Sequence, residues 1–371
     1  MKRAFILFLF LIATSCLHAS GEKQIISGPK LSGYIIGQYQ ASFQQDNTSN
    51  SFNLRMARLS LGGHILHDFE YKIQGQINGN TSTLGNSPRI VDLFVEWQKY
   101  EFIKIKAGQF KRPFTFENPM NPIDQGFMSY GQNIQKLSGF NDRSGEHSSN
   151  GRDIGIQVQG DFLKDRTGRS LIHYQIGVFN GQGINTKDAD NKKDIIGGVW
   201  IMPIKNIRAG AFGWIGSHAR NGKWTNTDGQ EMSGTRSLNQ YRYAVSAEFK
   251  NEDWQIRSEY IHSTGYGFKT TYQKQGDQND ATVNTLQGNK ADGLYCLCIA
   301  TVIKKKLRMK IRYDLYRNTA AWEDSRTQYE IGLNYLIHKN LELQTEYAFI
   351  NDRTAVKHNY SMADIEFCVR F

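Results

Sequence analysis

The chain has 371 residues, 45 Lys and Arg against 35 Asp and Glu, and a formal charge of +10. Its mean hydropathy of −0.54, with no run approaching 18 apolar residues, excludes a helical membrane protein but leaves a soluble fold or a barrel of alternating strands. Of four cysteines, Cys16 falls in the leader described next, and the odd remainder Cys296, Cys298 and Cys368 rules out a disulfide framework.

Residues 1–19 read as a secretory signal peptide: Lys2 and Arg3, the short apolar run Ala4 to Ala13, then small Ala19 and Ser20. A lipoprotein reading at Cys16 has a poor preceding box, Ala13-Thr14-Ser15. Loss of Lys2 and Arg3 lowers the charge to +8, 43 basic minus 35 acidic residues, for a mature unit at 20–371. A moderate positive excess attracts anions, or simply keeps the protein in solution. Many Tyr and Phe and only 6 Pro suit unbroken strands and aromatic girdles.

The mature chain then reads as sixteen strands of period 2. Residues 33–43 set Ile35, Gly37, Tyr39 and Ala41 against Tyr34, Gln38 and Gln40. Residues 52–65 set Ala57, Leu59 and Leu61 against Arg58, Ser60 and His64. Residues 69–79 are the cleanest, with Phe69, Tyr71, Ile73 and Ile77 against Glu70, Lys72, Gln74 and Gln76. Residues 90–98 and 102–110 follow, the second opposing Ile103, Ile105 and Ala107 to Lys104 and Lys106. The pattern then stops for about forty residues and resumes at Ile154, Ile156 and Val158. It continues through Ile172–Val178, 195–202, 207–215, Tyr241–Phe249 and Trp254–Tyr260. The facing of 195–202 and 207–215 is ambiguous, and 293–303 is apolar on both faces. Leu307–Leu315, Tyr329–Tyr335, Leu341–Phe349 and Ala363–Phe371 complete the series.

The connections alternate. Tight ones fall at His67-Asp68, 98–101, 163–169, 203–206, 250–253, Lys304-Lys305 and 338–340. Longer ones fall near 45–51, 80–89, 111–151, 180–194, 217–238, 264–292, 318–326 and 351–360. A soluble sandwich has no reason to alternate loop lengths; an outer-membrane barrel has, with periplasmic turns and external loops. In lipid every unpaired backbone group costs several kcal/mol, so the sheet must close. The expectation is an all-β, 16-stranded antiparallel transmembrane barrel. A bore of that size holds water and discriminates poorly unless a loop enters it. The stretch at about 111–151 is the candidate constriction loop, because long unpatterned connections usually carry function.

If basic side chains line a narrow passage, low-dielectric walls focus their field on anions. The constriction candidates are Lys111, Arg112, Lys136, Arg143 and Arg152. The lumen-lining candidates are Arg58, Lys104, Lys106, Arg308, Lys310 and Arg312. The competing reading is a solvated face paired with Asp92, Glu96, Glu259, Asp314, Glu330 and Glu346. The histidines show no ligand spacing, so no metal and no cofactor is expected. Asp188, Asp190, Asn191 and Asp194 suit an Asx-rich turn better than a calcium site. There is no G-x-S-x-G motif. An outer-membrane enzyme using His218, His262, Asp228 and Ser233 lacks a motif binding them together. A sugar-binding or adhesion protein would use Trp224, Tyr266 and Tyr272.

Several segments, in this order, resemble one family. Phe52–Leu59 is similar to its second strand, and Gly108-Gln109-Phe110-Lys111-Arg112-Pro113-Phe114 with Glu117 to the entry of its constriction loop. Gly151–Gln157 resembles the strand leaving that loop, and Gly177–Gly183 with Asp190–Asp194 the next hairpin. Phe367, Val369 and Phe371 resemble the insertion signal of outer-membrane barrels. The resemblance is to the phosphate-selective porin O/P family. It implies a homotrimeric outer-membrane porin in lipid and lipopolysaccharide, no enzyme and no nucleic-acid binder, passing anions such as phosphate or polyphosphate. Arginines of the inward loop and facing wall would bind the anion. Here that loop holds only Lys111, Arg112, Lys136 and Arg143, beside Glu117, Asp124, Asp142 and Glu146.

Overall fold

The computed structural model describes residues 28–45, 47–78, 88–140, 142–270 and 279–371. The expected signal peptide, Tyr272 and most of the connection near 80–89 lie outside these residues.

Sixteen antiparallel strands form one closed barrel. They are β1 Lys30–Ser42, β2 Ser49–Ile65, β3 Phe69–Asn78, β4 Arg89–Tyr100, β5 Ile103–Lys111, β6 Arg152–Lys164, β7 Ser170–Phe179 and β8 Asp194–Ile201, followed by β9 Ile207–Thr225, β10 Glu231–Lys250, β11 Trp254–Thr264, β12 Lys290–Ile303, β13 Leu307–Arg317, β14 Ser325–His338, β15 Leu341–Asp352 and β16 Asn359–Arg370. Each strand pairs with its sequence neighbours, and β1 closes on β16 from Tyr34↔Arg370 to Ser42↔Met362. Closure leaves the ladder without an edge, as a lipid surround demands.

The two faces are chemically opposite. Ile73, Ile77, Tyr243, Val245, Ile331 and Leu333 point outward and are exposed, while their neighbours Gln74, Gln76, Arg242, Ser246, Glu330 and Asn334 are buried inside. Period 2 therefore delivers a greasy exterior and a polar interior. Short connections sit at one end, for example Leu66–Asp68 between β2 and β3 and residues 304–306 between β12 and β13.

One expected connection is corrected. Residues 217–238 are not a loop: β9 and β10 run on as a hairpin, pairing Ser217↔Asn239 through Thr225↔Glu231, with a tight turn at 226–230. A strand that has left the lipid needs no apolar face, so its upper half carries no signal of alternating hydrophobicity.

The described residues of 112–151 form no strand. They contain a 3-10 turn at Pro122–Asp124 and one short helix, α1, Gln132–Leu137. α1 contacts β11, β12 and β13. The segment returns through Gly151 at φ +70, where a Cβ would lie 2.0 Å from Asn118 Oδ1. Only glycine satisfies both demands.

Candidate ion pathway

Segment 112–151 lies against the inward face of β8–β13. Its Phe114, Phe116, Phe127, Ile134 and Leu137 are buried with wall residues Ile196, Phe212, Trp214, Leu297 and Ile299. Burying such a side chain is worth about 1.5–3 kcal/mol. This explains the unclear facing of 195–202 and 207–215 and the doubly apolar 293–303: those strands are apolar outside for lipid and apolar inside for the segment.

Carboxylates of β11, β13 and β15 accept main-chain N–H groups of the segment. Glu259 takes the amides of Phe116 at 2.7 Å and Glu117 at 2.8 Å. Asp314 takes the amide of Gln132 at 2.9 Å, and Glu346 that of Met128 at 3.1 and 3.2 Å. Ion pairs add to this. Asp142 of the segment binds Arg242 of β10 at 2.6 Å, and Glu117 binds Arg257 of β11 at 2.8 Å.

The expectation of solute-facing cations is corrected for three residues. Arg112 is fully enclosed, bonded to Glu146 at 3.1 Å and Asp153 at 3.0 Å, and lies over Trp214. Its guanidinium pKa is pulled down by burial yet ends above its usual value, because Glu146 and Asp153 outweigh that. Lys310 is buried against Glu346 at 3.0 Å and donates to Gly126 O at 3.1 Å. Arg312 is buried against Glu330 and donates to Ser129 O at 2.8 Å. These three hold structure together, as buried charges must be paired.

The other candidates fall at two levels. Lys136 and Arg143 line a cavity of about 920 Å³, together with Gln38, Arg55, Arg326 and Asp364. Lys136 has no ion-pair partner among the described residues. Burial, then the nearby Arg326, lowers its ammonium pKa. Arg143 donates Nη2 to Gln287 O at 3.1 Å and Gly288 O at 2.9 Å, while its buried Nε and Nη1 lack partners. A second cavity of about 230 Å³ is lined by Lys72, Asp92, Lys106, Lys111 and Arg152. Lys106 pairs with Glu96 at 3.3 Å and lies over the Phe94 ring. Lys104 is 3.9 Å from Asp161, and half-buried Arg308 has an unpartnered Nε.

At the second cavity and beside it, the wall of β1–β6 gathers its charges. Tyr34 stands directly opposite Arg58 in the β1–β2 register, the guanidinium 5.8 Å from the ring centroid. Arg58 Nε donates to Gln76 at 2.7 Å, while its Nη1 and the Tyr34 hydroxyl have no hydrogen-bond partner among the described residues. Arg152 Nη2 donates to Asp92 at 3.2 Å, and Lys72 to the same carboxylate at 3.0 Å. Among the described residues, no carboxylate lies at ion-pair distance from Lys111. Its Nζ is 3.4 Å from the Tyr130 hydroxyl and 4.3 Å from the Phe140 ring centroid. Four cations, Arg58, Lys72, Lys111 and Arg152, thus share one contacting carboxylate, Asp92, with Tyr130 of the segment facing them. The roles of Tyr34, Lys72 and Tyr130 were not foreseen from sequence. The Tyr34↔Arg58 register was within reach of the hairpin alignment; the Tyr130 contact was not.

A closed sixteen-strand barrel with a polar interior and an outward apolar face is the architecture of an outer-membrane porin. The model of the family described as phosphate-selective porin O and P matches residues 34–192, so the resemblance read from the sequence is to the family whose model matches. No curated protein matches the chain. Among solved structures, the chain is similar to the anion-selective porin from Comamonas acidovorans, with 13% identity, 93% of this chain and 99% of that chain covered, and a TM-score of 0.63. It is similar to Salmonella typhi OmpF in complex with daunomycin, with 14% identity, 92% and 97% covered, and a TM-score of 0.63. It is also similar to the trimer form of in-vitro folded OmpT, an outer membrane protein of Vibrio cholerae, with 14% identity, 93% and 99% covered, and a TM-score of 0.58. At these identities the likeness is one of fold.

Proposed function

We propose that this protein is a passive outer-membrane diffusion channel that favours small anions such as phosphate or polyphosphate, with segment 112–151 as its constriction. The observation that carries the reading is Lys111, without an ion-pair partner among the described residues, standing beside Arg58 and the buried Arg152–Asp92 pair. A wall of low dielectric strengthens their field, and guanidinium and ammonium groups bond phosphate oxygens directly. The passage runs from the cavity holding Lys136 and Arg143, past Tyr130, to the cavity holding Lys111 and Arg152. The closed barrel and the family match favour a channel over an enzyme, and the exposed apolar belt favours a lipid-embedded protein over a soluble adhesin. We further propose a homotrimer in lipid and lipopolysaccharide, exported by residues 1–19.

The test is a planar bilayer under a salt gradient. Purified protein should give discrete conductance steps and a reversal potential of the anion-selective sign, and millimolar phosphate should reduce chloride current. Absence of steps refutes the channel; a reversal potential of the opposite sign refutes the anion preference.

A further inference from the structure

We propose that the larger cavity is a binding site for the polyhydroxylated body of a phosphorylated solute, a sugar phosphate, whose phosphate group reaches Lys111. The inference rests on the reading of the bore as anion-favouring and names a class of anion that it serves.

The two cavities differ in kind. Among the described residues, the smaller is lined by four basic side chains and a single acid, Asp92. The larger is lined by five basic and six acidic side chains, and by ten Asn and Gln. Its charges also cancel locally: Arg326 lies 3.5 Å from Asp352, Arg55 is 2.5 Å from Glu366, and Glu346 takes Lys310 at 3.0 Å. A bare inorganic anion therefore finds no net attraction there. What the larger cavity offers is amides. Gln38 and Gln40 come from β1, Gln135 from α1, Gln328 from β14, and Asn284 and Gln287 from the connection before β12. A side-chain amide presents donors and an acceptor side by side, and a hydroxyl likewise both donates and accepts. Amides converging from several elements thus suit a ring that bears hydroxyls. Tyr130 and Phe140 line the same cavity with ring centroids 4.5 Å apart, and supply apolar area for the C–H face of a sugar.

Those two rings also join the cavities. Lys111 lines the smaller one, its Nζ 4.3 Å from the Phe140 centroid and 5.1 Å from that of Tyr130. A solute whose hydroxyls lie among the amides has Lys111 just beyond the rings, where its phosphate group can meet the ammonium. Neither inorganic phosphate nor a neutral sugar uses both cavities. Binding in a conducting pathway must still allow release, so it is read as partial block of current.

The experiment compares half-blocking concentrations on chloride current in a planar bilayer for glucose 6-phosphate, inorganic phosphate, phenyl phosphate and glucose. A few amide hydrogen bonds should let glucose 6-phosphate block at about tenfold lower concentration than inorganic phosphate. Phenyl phosphate has a ring but no hydroxyls and should stay near inorganic phosphate. Glucose, without the charge, should block more weakly than its phosphate. Gln40→Leu combined with Gln287→Leu should bring the ratio between glucose 6-phosphate and inorganic phosphate close to one. If glucose 6-phosphate blocks no better than inorganic phosphate or phenyl phosphate, or if the double variant keeps the wild-type ratio, this proposal is overturned while the anion channel stands. A wild type without anion preference overturns the proposed function, and this inference with it. Heat-modifiable gel mobility verifies that the variant barrel is folded. If it is not, glucose 6-phosphate against phenyl phosphate in the wild type decides alone.

Discussion

The inside of this barrel has two walls. The wall of β8–β15 holds many arginines, and those facing the inward segment are occupied: Arg242 by Asp142, Arg257 by Glu117, Arg312 by Glu330. The wall of β1–β6 has fewer cations and fewer acids, and there Lys111 and one edge of Arg58 stay unclaimed. A basic residue in a lumen thus says little about ion preference until its partners are known. What matters is which cations the loop leaves bare.

Charge reversal on the two walls should break or sharpen this contrast. The largest effect is expected from Lys111→Glu combined with Arg58→Glu, which should invert the reversal potential measured in a salt gradient. Arg312→Met should leave selectivity of the same sign but strand Glu330 without its buried partner. A loss of about 3–5 kcal/mol is expected, read as a lower denaturation midpoint in detergent. Leu137→Ala, at the buried end of α1, should cost about 2–5 kcal/mol of docking and make 112–151 sensitive to added protease in an intact barrel.

A smaller effect concerns pH. His147 lies in the segment, and burial, then Arg89 and Arg220, lowers its pKa from 6.5 to about 4. The docked state refuses a proton that the undocked segment accepts near 6.5. Docking is therefore undiminished above pH 6.5, weakens as pH falls toward 4, and levels off below. Channel noise or protease sensitivity should follow that window, and His147→Gln should flatten it. The smallest effect is expected at Arg308, which touches neither the segment nor the β1–β6 cluster; Arg308→Gln should change stability by no more than about 0.5 kcal/mol and leave the reversal potential in place.

Much of this was legible in the sequence. Strands such as 69–79, with lipid on one side and water on the other, declare themselves by period 2, and alternating loop lengths imply closure. The reading failed where the surroundings were not lipid and water. The upper half of β9–β10 runs past its last pairings with β8 and β11 and has no apolar face to show. The strands around Trp200, Phe212 and Leu297 face protein inside, which erases the alternation. Among the candidate cations, Lys111 looks no different in sequence from Lys310, nor Arg58 from Arg112 and Arg312. Their difference lies in pairings such as Arg312 with Ser129, 183 residues apart, which no local pattern records.

Part of the grip on the inward segment falls on its main chain. Glu259, Asp314 and Glu346 bind N–H groups at 116, 117, 128 and 132, which nineteen of the twenty amino acids supply alike. Evolution can therefore exchange the outward-looking side chains of this lining, retuning what the pore admits, without remaking its attachment. Proline, which has no N–H to offer, is the one substitution those four places should refuse.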